Sequence, residues 1–549
     1  MAARLASSPA PPSVLLIEAG AKDEDQTINK IMLANRFATW MTHPALNWGY
    51  KTVPQDHLAG RRIDYSRGKG VGGSTLINFS CWTLGPRDDY DEWARIVGDD
   101  SFNWQNIQRR FKALESFDIE SSPDYIKYAK AVADDHGIEG PVHVEFPAVW
   151  ERHYSALADA ANEFGLGYNL DLNSGNPIGM AMAPATSRGA RRWTCADSFL
   201  RDHPSNLTIL PSTVASRILF DGKKAVGIEA NGKHYFARKE VVLSAGAIDT
   251  PKLLKLSGVG DRSELEKHNI GVVHHAPAVG QNLQDHAMLP MVWEQNNNYD
   301  DRSLLSDEEY MKAATDEFAE KGTGPLAALN ASQNVGYFKL PNLESSAEFK
   351  ALSKDEQAHL QQQTVPHYEL LVGGPNLNPA MARDLPYLSA IVFMCHAKSR
   401  GTVKLASANI NDPALCDPEL LTDPYDKKVM IEATRIAMQL IRTPSIANTI
   451  KQMTLGPTSE SDEDIWAFIR DAVGTSWHMS CTCAMGKDGD DETAVVDSDF
   501  RVFGLERLRV VDISVTPFLP AAHTQACAYL IGATAAEKMI EEYGFDHMT

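Results

Sequence analysis

The sequence predicts an α/β chain, α+β overall, in which a discontinuous parallel-sheet unit is interrupted by insertions that build a second unit. Three observations carry this reading. Ser13–Gly20 is an apolar run closed by Glu18, Ala19 and a glycine, and Glu240–Gly246 repeats the pattern, as buried parallel strands do where they meet a turn. Between residues 206 and 237, short strand-like runs are punctuated by Asp221-Gly222 and Asn231-Gly232, dipeptides that favour two-residue hairpins. A final apolar run, Leu508–Asp512, precedes a long helical pattern, so pieces of the sheet unit recur at the start, middle and end of the chain.

Met1–Ala6 reads as the last turns of a helix, followed by a Ser/Pro-rich loop and the Ser13–Gly20 strand. A helix feeding a parallel strand is the second half of a βαβ unit, so the first strand and its glycine turn are expected upstream of Met1. Leu207–Leu210, Ala215–Phe220, Ala225–Glu229 and His234–Ala237 are the expected short strands. Ser306–Lys321 reads as a charged helix opened by a serine cap, with acids in its first turn. Gln525–Tyr543 reads as a helix with Tyr529, Ile531, Ala535 and Met539 at helical spacing.

Composition narrows the function classes. The 549 residues are 43% hydrophobic and 23% charged, as in an ordinary globular protein of two or three domains. A formal charge of −20 argues against a nucleic-acid partner, which would want a basic face. No apolar run reaches the roughly 18 residues that cross a bilayer, and no signal peptide is visible, so the expectation is a soluble protein, cytoplasmic or secreted. The seven cysteines form no disulfide framework, and the C-x-C pair Cys481/Cys483 lacks the second pair that a metal site would need, so no metal is expected.

The chemistry-bearing motifs begin at Glu18, an acid at the C-terminal end of a strand, where a dinucleotide-binding fold places its ribose carboxylate. The stretch Arg67–Asn78 has four glycines in six residues, which lets backbone N–H groups approach an anionic ligand such as a pyrophosphate. It lacks P-loop spacing. It ends in the apolar Thr75–Phe79, which reads as buried rather than as a solvated turn.

Together with Gly85–Trp93, this stretch resembles the first signature of the glucose–methanol–choline oxidoreductases. Gly246–Gly260 matches their second signature, and Val279–His286 follows at the usual distance. Trp477–Gly486 through Ala521–Gln525 is similar to their C-terminal block. The resemblance implies a Rossmann-like FAD-binding domain with a parallel sheet, over 1–135, 205–290 and 480–549. It also implies a substrate-binding domain with an antiparallel sheet flanked by helices, over 136–204 and 291–479. FAD would lie with Glu18 and Ala19 at the adenosine ribose and the backbone of Val214 at the adenine. Arg67, Gly68, Gly72, Gly73, Ser74 and Asn78 would follow the pyrophosphate and isoalloxazine, with Asp512, Thr524 and Gln525 near the flavin. Ile77 stands where some relatives carry a flavin-linked histidine, so a non-covalent cofactor is expected.

The resemblance also assigns catalysis. His478 matches the family's principal base and His523 its partner, and a neutral imidazole suits proton removal from an alcohol near pH 7. The other fifteen histidines read as structural. The implied reaction is FAD-dependent oxidation of a small-molecule alcohol, of hydrophobic type, with oxygen or a quinone-like acceptor reoxidising the flavin. Two departures stand out: Cys481 replaces a small residue of the C-terminal motif, and the family's first strand with its G-x-G-x-x-G turn is not in the sequence. The alternatives are a non-redox flavoprotein of the same family (lyase, cyclase or decarboxylase) and a flavin-free relative of the fold.

Overall fold

The structure is a computed structural model, and it describes residues 1–22, 44–118, 127–147, 150, 154–296, 307–328, 334–373, 385–489 and 492–547. The apolar runs form the strands expected of them. Val14–Ile17 pairs in parallel with Leu207–Leu210, and Val241–Leu243 pairs in parallel with Leu508–Val510. Among the described residues the two pairs are not hydrogen-bonded to each other. Val14–Ile17 and Val241–Leu243 instead line one common cavity, which leaves Leu15 42% exposed although its run reads as a buried strand.

The hairpins follow their turn chemistry. Ala215–Asp221, Lys224–Ala230 and Lys233–Phe236 form an antiparallel meander beside this unit. Asn231 and Gly232 both have positive φ (47° and 71°), as a type I′ turn requires. The last helix spans Thr524–Glu542 and buries Tyr529, Ile531, Ala535 and Met539, the stripe expected from spacing. Ser306, the expected cap of the charged helix, lies outside the described residues. The helix runs Glu308–Lys321, and Asp307 is its N-cap, accepting from the N–H groups of Glu309 and Tyr310.

The second unit is a seven-stranded sheet. Its main path runs Ile450–Leu455, Ala287–Gln295, Tyr387–Met394, Tyr368–Val372, Asn334–Phe338, Gly179–Met182, with Gly474–Thr475 also on the Ala287–Gln295 strand. The described pairings are antiparallel. Period-two alternation sorts its side chains. Tyr368, Leu370 and Val372, with Leu388, Ala390 and Val392, pack under the helix Pro424–Leu440, whose Tyr425, Val429, Ala433 and Ala437 share that core. Leu371, Phe393, Val335 and Tyr337 take the opposite face, together with Cys81 and Ala521 of the first unit. That second face holds the candidate site.

No helix among the described residues is long and apolar enough to cross a membrane. All seven cysteines are free, and all but Cys195 are buried.

Arg509 ties the last strand of the parallel unit to its flanks. Its buried side chain, 1% exposed, donates from Nε and Nη2 to both oxygens of Glu240 at 2.6 and 2.8 Å, and from Nη1 to the Asp499 carbonyl. Removing one member of such a buried pair strands the other charge. Arg509→Ala is therefore expected to destabilise the protein by about 3–5 kcal/mol, read as a lower thermal midpoint.

Candidate active site

A cavity of about 1700 Å³ runs along the parallel-strand unit, and every site position expected from the sequence lines it: Glu18, Ala19, Arg67, Gly68, Gly72, Gly73, Ser74, Asn78, Val214, His478, Asp512, His523, Thr524 and Gln525. At one end the Glu18 carboxylate accepts from the N–H groups of Gly20 (2.7 Å) and Gly70 (3.1 Å), which holds the strand end against the glycine loop. Burial raises its pKa, and those N–H groups oppose the rise.

The glycines are dictated by close approach. A Cβ on Gly20 would sit 2.3 Å from Gly70 N, and one on Gly68 would sit 2.3 Å from the Gly73 carbonyl oxygen. Gly73 has φ +58° and meets no protein atom within 4 Å of its Cβ position, so the loop presents bare backbone to the cavity there. Ser74 Oγ fixes the loop by accepting from Gly68 N at 3.1 Å. This uncluttered backbone, with Thr524 and Gln525 opening a 19-residue helix on the same cavity wall, fits a large anionic cofactor.

Several expected contacts have partners within the protein. Both backbone groups of Val214 pair with Asn231: its N–H donates to Oδ1 at 3.0 Å, and its carbonyl accepts from Asn231 N at 3.1 Å. Asp512 clamps two segments, accepting from Gly246 N (2.9 Å), Thr250 Oγ1 (2.6 Å) and Ser514 N (2.8 Å). Asn78 accepts from Ser80 N and Arg192 Nη1, and its amide donates to Gln525 Oε1. Arg67 donates to the Trp477 carbonyl beside His478.

At the other end the His478 and His523 rings stand 5.0 Å apart between centroids. Two residues missed by the sequence reading complete the group. His286 Nδ1 lies 3.0 Å from His478 Nδ1, and Glu369 Oε1 lies 2.8 Å from His523 Nε2. Asp285 accepts from the His478 N–H at 2.9 Å and so fixes the backbone that carries the base. The Asp285-His286 pair inside the Val279–His286 motif was a signal for the first of these. Glu369 sits in the apolar strand Tyr368–Val372, where its charge was the only cue.

The two histidines are driven apart electrostatically. Burial, the charge of His523, and the neighbouring His286 and Arg67 hold His478 well below the ordinary imidazole range. Burial alone would also lower His523, but Cys81 and the Glu369 carboxylate against it raise it well above that range. Burial brings His286 down to about 3 and pushes Asp285 up to about 7. The two environments thus shift adjacent imidazoles in opposite directions.

Comparison with known proteins agrees with this architecture. The family model of the GMC oxidoreductase N-terminal domain matches residues 29–288, and that of the C-terminal domain matches 397–532. Patulin synthase of Aspergillus clavatus is 34% identical over 90% of this chain and 81% of its own length. The alcohol dehydrogenase [acceptor] of Pseudomonas putida is 32% identical over 99% of this chain and 93% of its own. Among solved structures, an FAD-dependent oxidoreductase from Chaetomium thermophilum superposes with a TM-score of 0.86 at 27% identity, covering 99% of this chain and 97% of that one. The chain belongs to the GMC oxidoreductase family. It is an oxidoreductase acting on CH–OH donors, and its cofactor is FAD.

Gly68→Ala tests the glycine cradle. The added methyl would clash with the Gly73 carbonyl, and relieving that contact would cost about 1–3 kcal/mol. Bound flavin, measured by absorbance of the purified protein, is expected to fall, with affinity weakened about tenfold or more.

Proposed function

We propose that this protein oxidises an alcohol to an aldehyde or ketone, with His478 as the base and His523 as its cationic partner. The observation that carries the reading is the pair of adjacent imidazoles with opposite pKa shifts. Bound FAD supplies the acceptor for the hydride that leaves the carbinol carbon.

The residues prepare the other half of the reaction. His478 Nδ1 is 3.0 Å from His286 Nδ1, and the tautomer in which His478 donates there would leave the lone pair on its Nε2 to take the hydroxyl proton. Asp285 anchors the backbone of the base. His523, kept protonated by Glu369, places positive charge beside the developing alkoxide. Phe79 and Trp477, 6.2 Å apart on the cavity wall, and Phe393 beside His523 favour a hydrophobic alcohol. A relative named alcohol dehydrogenase [acceptor] supports an alcohol as the substrate class. The acceptor that reoxidises the flavin is oxygen or a quinone-like molecule.

Glu18 and Ala19 would hold the adenosine end of FAD, with the second lone pair of the Val214 carbonyl at the adenine. Arg67, Gly68, Gly72, Gly73, Ser74 and Asn78 would line its diphosphate and ring. Thr524 and Gln525 would present the helix N-terminus to the flavin, with Asp512 supporting the neighbouring turn. Ile77 offers no nucleophile, so the cofactor is held without a covalent bond. Residues 1–135, 205–290 and 480–549 form the cofactor domain in this reading, and 136–204 with 291–479 the substrate domain.

His478→Ala is expected to keep the flavin spectrum while kcat falls about 100- to 10,000-fold. A variant that bleaches at the wild-type rate with the same alcohol would rule out His478 as the base. Glu369→Gln tests the partner. Because Glu369 raises the His523 pKa, its removal lets the imidazolium lose its proton at lower pH. The alkaline limb of the kcat/KM profile is expected to move to lower pH, with the protein still folded and yellow.

A further inference from the structure

Away from the proposed reaction centre, three ligand-bearing side chains from distant parts of the chain converge. Asp89 lies on the helix Arg87–Val97, His359 on the helix Lys354–Gln361, and His396 just beyond the strand Tyr387–Met394. Asp89 Oδ1 is 2.9 Å from His359 Nε2 and 3.3 Å from His396 Nε2, and one ligand atom from each residue lies within 4.8 Å of the others. The two imidazoles are nearly perpendicular, at 82°, with centroids 5.1 Å apart, and Phe518 packs against both.

We propose that Asp89, His359 and His396 hold a zinc ion that fastens the Arg87–Val97 helix to the antiparallel-sheet unit. Four points support this. The ligand set, two imidazole nitrogens and one carboxylate oxygen, is a zinc set with a fourth position left for water. Ligand atoms about 2.0–2.1 Å from a tetrahedral ion lie on the order of 3.3 Å apart, the spacing of His396 Nε2 from Asp89 Oδ1, and the 2.9 Å hydrogen bond between His359 Nε2 and Asp89 Oδ1 is one the ion would replace. His396 is 6% exposed, and its buried Nε2, 3.3 Å from Asp89 Oδ1, has no hydrogen-bond partner. Asp89 Oδ2 accepts from Ala521 N at 2.8 Å, the outer hydrogen bond that orients a carboxylate ligand and leaves Oδ1 for the metal.

Electrostatics point the same way. Asp89 is 1% exposed, and a divalent cation beside it would balance a carboxylate that solvent does not reach. The His359 side chain is 9% exposed and forms the side from which an ion and its water enter.

The test uses the flavin-loaded protein incubated with zinc chloride and desalted, with metal content by plasma mass spectrometry and zinc-edge X-ray absorption on the wild type. About one zinc per chain is expected, with nitrogen and oxygen neighbours near 2.0–2.1 Å that include two imidazoles. His359→Gln and His396→Gln should each lower the zinc content about tenfold or more while the flavin spectrum persists. The proposal is overturned if wild-type protein retains no zinc, if both variants retain it undiminished, or if the absorption edge shows sulfur ligation. The absorption measurement on wild type decides the matter even if a variant fails to fold.

Discussion

The contact between Glu369 and His523 governs the centre of this molecule. A carboxylate without solvent exposure, hydrogen-bonded to an imidazole at 2.8 Å, keeps that imidazole charged in surroundings that would otherwise neutralise it. The charge then acts on the next ring. His478 is pressed further toward its neutral form by the cation beside it, and His286 is shifted the same way. Burial and mutual repulsion in a low dielectric thus shift two chemically identical side chains in opposite directions.

The architecture delivers this arrangement through strand alternation. Along Tyr368–Val372, every second residue turns to the helix-covered core, and Glu369 is left on the face toward the first unit. On the other side, His523 enters at the start of the last helix, and its N–H is held by Thr83 Oγ1 at 2.7 Å. His478 comes from a third segment, where Trp477 adopts a left-handed backbone with φ 59° and Asp285 pins the following N–H. None of these segments could make the group alone.

The cofactor end obeys a different constraint, steric rather than electrostatic. Gly20 and Gly68 sit where any side chain would strike neighbouring backbone, and Glu18 is drawn onto that backbone by two N–H donors. Asp512 plays a similar holding part at the Gly246 turn. Residues that a motif marks as ligand contacts are thus also the struts that keep the cavity wall in place.

Much of this was legible in the chain itself, because it depends on local pattern. The hairpins at Asp221-Gly222 and Asn231-Gly232 follow from turn residues that accept positive φ, and the buried stripe of the last helix follows from spacing. The Arg67–Asn78 loop and the paired histidines follow from motifs, and all of those positions reach one cavity. The cap of the Glu308–Lys321 helix was displaced by one residue, since serine and aspartate cap equally well and only the backbone decides between them. Glu369 and the meeting of Asp89 with His359 and His396 were not legible, because these partners lie more than a hundred residues apart and no local period links them, whereas His286 was signalled only by its place in the Val279–His286 motif. The sequence by itself determined the elements, the glycine cradle and the identity of the two central histidines. Only the tertiary structure decided which of them carries charge, because a pKa is set by burial and by neighbours that folding alone brings within reach.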